Sequence, residues 1–318
     1  MKRYFFPTLF WISNLVLLPA QGWEHILGPD GGEIVNLNTD GSTLYSLTKA
    51  GIYRSEDEGY HWQLLKGSLA KTRNLSQMKA SKGVFYAFSV DGKLVRSTDE
   101  GNTWRPLLQK PFPINHEDEK LTVLFVKGDT VLVGSTFTIY RSVDKGETWQ
   151  PTLQLANELH AEFKGIVEFK NELFAAEGRY IHRSSDGGLT WDVVLEPIIN
   201  NYTLLSTTDS FLLVLYRFKL VRSTDGLRTW REFPIDTIAR YDNSGSNFKW
   251  LCGWGNELFY FFEDNYCPFT FCHSIDGGET WRFKFSERTA RVLKYVMQDG
   301  VLFNRHFVVV GDGIFHSL

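Results

Sequence analysis

One eight-residue pattern recurs six times in this chain, and no other feature constrains its fold as tightly. The pattern Ser-x-Asp-x-Gly-x-Thr-Trp begins at Ser55, Ser97, Ser142, Ser184, Ser223 and Ser274 and ends seven residues later on a tryptophan each time. Successive copies are 42, 45, 42, 39 and 51 residues apart. Internal periods of roughly 20–50 residues mark repeat architectures, propellers among them. The local chemistry accounts for the pattern. An Asp between Ser and Gly suits a tight hairpin, because its carboxylate accepts N–H groups of the turn. Gly supplies a positive φ that other residues resist. Thr and Trp resume an extended strand, and the indole packs between sheets. Two copies depart from the rule: the first has His61 in place of the Thr, and the fifth has Leu227 in place of the Gly with Gly226 one position earlier.

A short strand precedes each box: Gly51 to Arg54, Lys93 to Arg96, Thr138 to Arg141, Tyr180 to Arg183, Lys219 to Arg222, and Phe271 to His273. Before these lies an apolar segment of strand type, such as Thr43 to Leu47 or Leu258 to Phe262, and before that another, such as Leu121 to Val126. With the strand that follows the Trp, each unit holds four strands, which is a propeller blade. The chain ends extend the period. Gly313-Ile-Phe-His-Ser317 repeats Gly51-Ile-Tyr-Arg-Ser55, 43 residues after Ser274, and Trp23 lies 39 residues before Trp62. The expectation is an all-β chain forming a single seven-bladed β-propeller of four-stranded blades. Its ring is closed by the N-terminal strand (22–27), which completes the last blade (287–318) and leaves no exposed strand edge.

Residues 1–20 have their own character. Lys2 and Arg3 precede an apolar run from Phe5 to Leu18, and Leu18-Pro19-Ala20 offers a cleavage site before Gln21. This is the three-part pattern of a secretory signal peptide. The run is short of the roughly 20 residues that span a bilayer, and no transmembrane segment is expected after cleavage. The mature chain, 21–318, is then one propeller domain, secreted or periplasmic. It carries 32 basic and 37 acidic groups, a net charge of −5, which argues against nucleic acid as a partner. Three cysteines, Cys252, Cys267 and Cys272, fall within 21 residues. An oxidising compartment allows two to pair, with Cys252 joined to Cys267 or to Cys272, or all three stay buried thiols. The spacing of Cys267 and Cys272 lacks further ligands, so no metal site is expected.

The six boxes and the strands before them resemble the Asp-box, or BNR, repeat of sialidases and related propellers, over nearly the whole mature chain. More specifically, the chain resembles single-domain seven-bladed proteins such as the photosystem II stability and assembly factors and secreted BNR proteins. The resemblance implies that the box turns occupy one face and that ligands meet the opposite one. Asp57, Asp99, Asp144, Asp186, Asp225 and Asp276 are then structural turn residues. Arg73, Arg179, Arg217, Arg240, Arg288 and Arg291 fall in connections of the opposite face, where guanidinium forks bind carboxylates. Surface ion pairs with nearby acids are the plainer reading of those arginines. The implied function is a non-enzymatic extracytoplasmic binding or scaffold propeller, a monomer, recognising a protein or peptide.

The alternative is a glycan-active protein, either a sialidase-like or other glycoside hydrolase or a lectin-like binder. Sialidase chemistry needs an Arg triad, a Tyr nucleophile with its Glu partner and an Asp acid converging in one cleft. The early Arg-Ile-Pro signature of that family is absent; Phe112-Pro-Ile114 and Phe233-Pro-Ile235 lack the Arg. Xyloglucan-cleaving propellers pair two propellers around a cleft, and this chain has one. There is no P-loop, dinucleotide fingerprint, HExxH string or Ser-His-Asp arrangement, so no catalytic residue and no cofactor is assigned. His182, His273 and His316 stand in or beside the repeated strand arginine and read as structural.

Overall fold

A computed structural model describes residues 23–26, 29, 34–68, 70–107, 120–155, 162–195, 203–216, 219–234, 247–263, 270–283, 299–303, 306–310 and 314–317. The first strand is β1 (Trp23–Ile26). A first blade follows: β2 (Ile34–Thr39), β3 (Leu44–Thr48), β4 (Ile52–Ser55) and β5 (Gln63–Leu64). The second holds β6 (Leu75–Ser81), β7 (Val84–Ser89), β8 (Leu94–Ser97) and β9 (Arg105–Pro106), and the third β10 (Leu121–Lys127), β11 (Thr130–Ser135), β12 (Thr138–Ser142) and β13 (Gln150–Gln154). The fourth holds β14 (Gly165–Phe169), β15 (Glu172–Ala176), β16 (Ile181–Ser184) and β17 (Asp192–Leu195). The fifth holds β18 (Thr203–Thr207), β19 (Leu212–Tyr216), β20 (Lys219–Ser223) and β21 (Arg231–Pro234), and the sixth β22 (Asn247–Trp254), β23 (Glu257–Glu263), β24 (Thr270–Ser274) and β25 (Arg282–Phe283). The last strands are β26 (Asp299–Phe303), β27 (His306–Val310) and β28 (Ile314–Ser317).

These strands make seven four-stranded sheets. The chain is an all-β propeller, but the expected count of seven blades is corrected to six. Six sheets are each built from four consecutive antiparallel strands, with one box turn joining the third strand to the fourth. The remaining sheet is composite and is not a further copy of this unit: β26, β27 and β28 come from one end of the chain and β1 from the other, paired as Trp23 with Ser317 and Ile26 with Ile314. No box turn joins β28 to β1. First strands pack side by side from β2 through β6, β10, β14 and β18 to β22, and β26 packs on β2; β22 and β26 lack that close packing. The period counts strands of the right spacing, whereas a blade of this kind also carries a box turn between its third and fourth strands.

Alternation drives the packing. Along each second strand, successive side chains point to opposite faces, and both faces are apolar because each sheet is sandwiched between two others. Among the described residues five cores lie between the six blades. Tyr45, Leu47, Ile52, Met78, Phe85 and Val95 fill the first seam, and Phe174, Ile181, Leu212, Val214 and Leu227 fill the fourth. Asn36 and Asn38 in β2 are buried, and their side-chain oxygens accept the backbone N–H groups of Met78 and Ala80 at 3.0 Å, fastening β2 to β6. Buried polar groups need such partners. Cys252 in β22 and Cys272 in β24 are both free thiols. They flank β23, which sets them about 10 Å apart, beyond disulfide reach, so the Cys252–Cys272 pairing is ruled out. Burial raises both thiols, Cys272 to about 12. Cys267 lies outside the described residues.

Candidate functional site

The box turns have one geometry in all six copies. The Ser Oγ donates to the Asp carboxylate at 2.7–2.9 Å. The same oxygen accepts the N–H at the Gly place at 2.8 Å, including that of Leu227. The Asp accepts a second N–H four residues on at 2.8–2.9 Å. A Thr hydroxyl donates to its other oxygen, except in the first box, where His61 Nδ1 lies 2.5 Å from Asp57. These bonds hold Asp99 and Asp225 down at about 2, chiefly through the N–H groups of Thr103 and Thr229. The Thr148 and Thr190 hydroxyls do the same for Asp144 and Asp186. At Asp57 and Asp276 partial burial pushes upward, but the bonds from His61 and Thr280 outweigh it. A general acid at neutral pH needs a raised carboxyl; these six are lowered, and each is occupied within its own turn.

The boxes also join the blades. Three of the arginines that precede a box serine reach the next blade's box. Arg96 donates to Lys145 O at 2.7 Å and Arg141 to Gly187 O at 2.8 Å. Arg222 donates to Gly277 O at 2.6 Å and Asp276 O at 3.2 Å. In two seams an outer-strand arginine joins it on one box glutamate: Arg96 and Arg105 on Glu147, Arg222 and Arg231 on Glu279. In the fourth seam Arg228 of the box reaches back to Glu172 at 2.7 and 2.9 Å. Leu227 is 3% exposed and fills the wedge that the box Trp occupies elsewhere, and Trp230 stands 44% exposed.

Antiparallel alternation places second-to-third-strand turns and blade-to-blade connections at the end of each sheet opposite its box. Arg73 sits on the connection into β6, and Asn74 O beside it accepts Val90 N–H from the β7–β8 turn at 2.7 Å. Arg179 sits on the β15–β16 turn. The connection into β14 meets this turn through Lys164 N–H donating to Ala176 O at 2.8 Å. Both arginines are exposed. They belong to the second and fourth blades, with the third between them, so the structure does not bring them into contact. Arg217, Arg240, Arg288 and Arg291 lie outside the described residues.

Two residues that the repeat does not lead one to expect lie beneath the Arg179 turn. Glu177 is 4% and His182 5% exposed. Glu177 Oε2 accepts the Arg179 N–H at 3.3 Å, and Glu177 Oε1 lies 3.9 Å from His182 Nε2. Among the described residues that buried nitrogen meets no hydrogen-bond partner. Aligning the blades on their box serines would have flagged this pair, since the other five blades carry Thr48, Ser89, Ser135, Tyr216 and Phe262 at the first place and Tyr53, Val95, Tyr140, Val221 and Cys272 at the second, none of them a carboxylate or an imidazole. Among the described residues no group of three or more His, Cys, Asp or Glu could hold a metal ion, and no helix is long and apolar enough to cross a membrane.

No family model and no curated protein matches the chain. Solved propellers match its fold over 93% of its length. One is YCF48 bound to a D1 peptide, at 17% identity, TM-score 0.65 and 96% of that chain. Another is an inactive virginiamycin B lyase from Staphylococcus aureus with quinupristin, at 12% identity, TM-score 0.64 and 99% of that chain. A third is a xyloglucanase from Xanthomonas campestris, at 17% identity, TM-score 0.62 and 53% of that chain. At such identities the likeness establishes the β-propeller fold and nothing narrower, and one fold hosts many functions.

Proposed function

We propose that this chain is a non-enzymatic, extracytoplasmic binding propeller of Asp-box type that recognises a protein or peptide on the ends of its blades opposite the boxes. The observation that carries this reading is the exposure of Arg73 and Arg179 on turns opposite the boxes. The box carboxylates are consumed by their own turns, and Arg96, Arg141 and Arg222 next to them by the following blade. Arg73 and Arg179, at the other end, are exposed on connections held in place by backbone bonds. A guanidinium on a rigid turn is suited to bidentate capture of a carboxylate. Arg217, Arg240, Arg288 and Arg291 extend the same binding set. The peptide-bound YCF48 propeller supports this mode of use. Cleavage after Ala20 would deliver the chain, as a monomer, to the secreted or periplasmic space.

The test is a paired panel on the purified mature protein. Peptides ending in a free carboxylate, their amidated counterparts, and glycans for binding and hydrolysis are offered to the wild type and to Arg73→Ala/Arg179→Ala. Binding of the acids but not the amides, lost in the double variant, is the expected result. Glycan turnover abolished by those changes would overturn it in favour of the glycan-active reading.

A further inference from the structure

We propose that the box end of this propeller is a membrane-docking surface, whose third to sixth box turns seat exposed apolar tips in a zwitterionic bilayer. The peptide site proposed above lies at the other end of the sheets, and the two are independent. Five box turns each carry one exposed large apolar side chain: Tyr60, Val143, Leu189, Trp230 and Ile275, 39% to 59% exposed. Val193, two residues beyond the fourth box, is exposed as well. Four of the five fall in consecutive blades, the third to the sixth. Val143 and Ile275 occupy the place after the box serine, where the other copies carry Glu56, Thr98, Ser185 and Thr224. Leu189 stands where the third and sixth boxes carry Glu147 and Glu279. Trp230, turned out by Leu227, is the one box indole left exposed.

Three observations favour lipid as the occupant. The tips are separate, one to a turn. A protein partner would have to match the spaces between them, whereas lipid closes around each side chain. The polar groups of these turns are also satisfied from within, which entry into a bilayer interface requires. Lys145 O accepts from Arg96, Gly187 O from Arg141, Asp225 O from Arg228, and Asp276 O and Gly277 O from Arg222. Trp149 and Trp281 Nε1 donate to Gly146 O and Gly278 O at 2.9 and 3.1 Å. Between the tips, Glu147 meets Arg96 and Arg105, Glu172 meets Arg228, and Glu279 meets Arg222 and Arg231. Charge is therefore balanced there, and the attraction is apolar rather than electrostatic. The box carboxylates limit insertion to headgroup depth, the level that suits an interfacial Trp. Glu56, Glu58 and Glu100 in the first two boxes keep that side of the ring out of the bilayer. Finally, Trp23 pairs with Ser317 at this same end, and the apolar run Phe5 to Leu18 ends five residues before Trp23. A chain still joined to that run meets the bilayer with its box end.

The experiment is co-sedimentation of the mature protein with sucrose-loaded phosphatidylcholine vesicles, free of the leader so that only the propeller is read. The wild type should pellet with the vesicles equally at low and high salt, because apolar contacts are not screened. Val143→Ser, Leu189→Ser and Ile275→Ser should each weaken partitioning about fivefold, since roughly half of each side chain leaves water on insertion. The triple variant should lose about a hundredfold, with its Tm close to that of the wild type because the three positions are exposed. Val90→Ser, exposed on the β7–β8 turn at the opposite end, should change nothing. Brominated phosphatidylcholine should quench Trp230 emission, taken by difference from Trp230→Phe; this is read with the other tips in place and decides the matter even where the triple variant folds poorly. A wild type that stays in the supernatant overturns the proposal and makes a protein contact the reading to test for these tips. Binding confined to anionic vesicles and removed by salt, binding untouched in the folded triple variant, or an equal loss in Val90→Ser overturns it as well.

Discussion

Replacing Arg222 by Ala measures what a box contributes between blades rather than within its own turn. The Arg222 side chain is 12% exposed. It donates to two carbonyls of the sixth blade's box and lies 4.8 Å from the Phe211 ring and 4.6 Å from the Phe233 ring. Two hydrogen bonds at about 1 kcal/mol each and two cation–π contacts at about 0.5 kcal/mol each give a loss of about 3 kcal/mol. With an unfolding entropy of about 2.1 cal/mol/K per residue, a cooperative chain of this size should lose about 5 °C in Tm. Arg54 is the internal control. It occupies the same place in the first blade, but its side chain is 35% exposed, it bonds Gln63 within its own sheet, and carboxylates approach only to 3.8 and 4.0 Å. Exposed contacts of that kind contribute about 0.5 kcal/mol, so Arg54→Ala should move Tm by about 1 °C. Differential scanning fluorimetry on both variants, with Arg222→Lys expected to fall between them, decides the matter. Equal shifts for Arg222→Ala and Arg54→Ala would refute the idea that the strand arginine acts through the next blade's carbonyls.

Further outcomes follow from the same geometry. Gly278 has φ +91° and a Cβ there would lie 2.4 Å from Leu220 Cδ2, so Gly278→Ala should destabilise by about 3 kcal/mol through strain and overpacking together, read by denaturant midpoint. Leu227→Gly should empty the fourth seam's wedge and let Trp230 fold inward; acrylamide quenching attributable to Trp230, taken by difference from Trp230→Phe, should fall. The box carboxylates are lowered in the fold, so the unfolded chain binds more protons below its own carboxyl range. Stability should therefore be complete above about pH 4 and be lost as the pH falls toward about 2, with Asp99→Asn and Asp225→Asn flattening that limb of a Tm-against-pH curve.

Much of this protein is visible in its sequence because the box is a local structure. Ser97, Asp99, Gly101 and Thr103 lie within seven residues and satisfy one another. Chemistry confined to one turn can be read from spacing alone. The exposure of Trp230 was less legible, although the Gly-to-Leu change at Leu227 signals it. A side chain at that place fills the space over which the other indoles fold. The arginine connections were the hardest to place, since antiparallel alternation assigns an end of a sheet but not a distance across a blade.

The order of strands, the six boxes and the alternation of apolar positions were determined by the sequence alone, because hydrogen bonds and pleats at short range depend only on neighbours along the chain. Which units count as repeat-built blades, where each strand arginine ends, and that Glu177 and His182 share one buried space were decided only by the tertiary structure. Those contacts join residues tens of positions apart or sheets from opposite ends of the chain, and periodicity carries no information about which surfaces meet when the sheets pack.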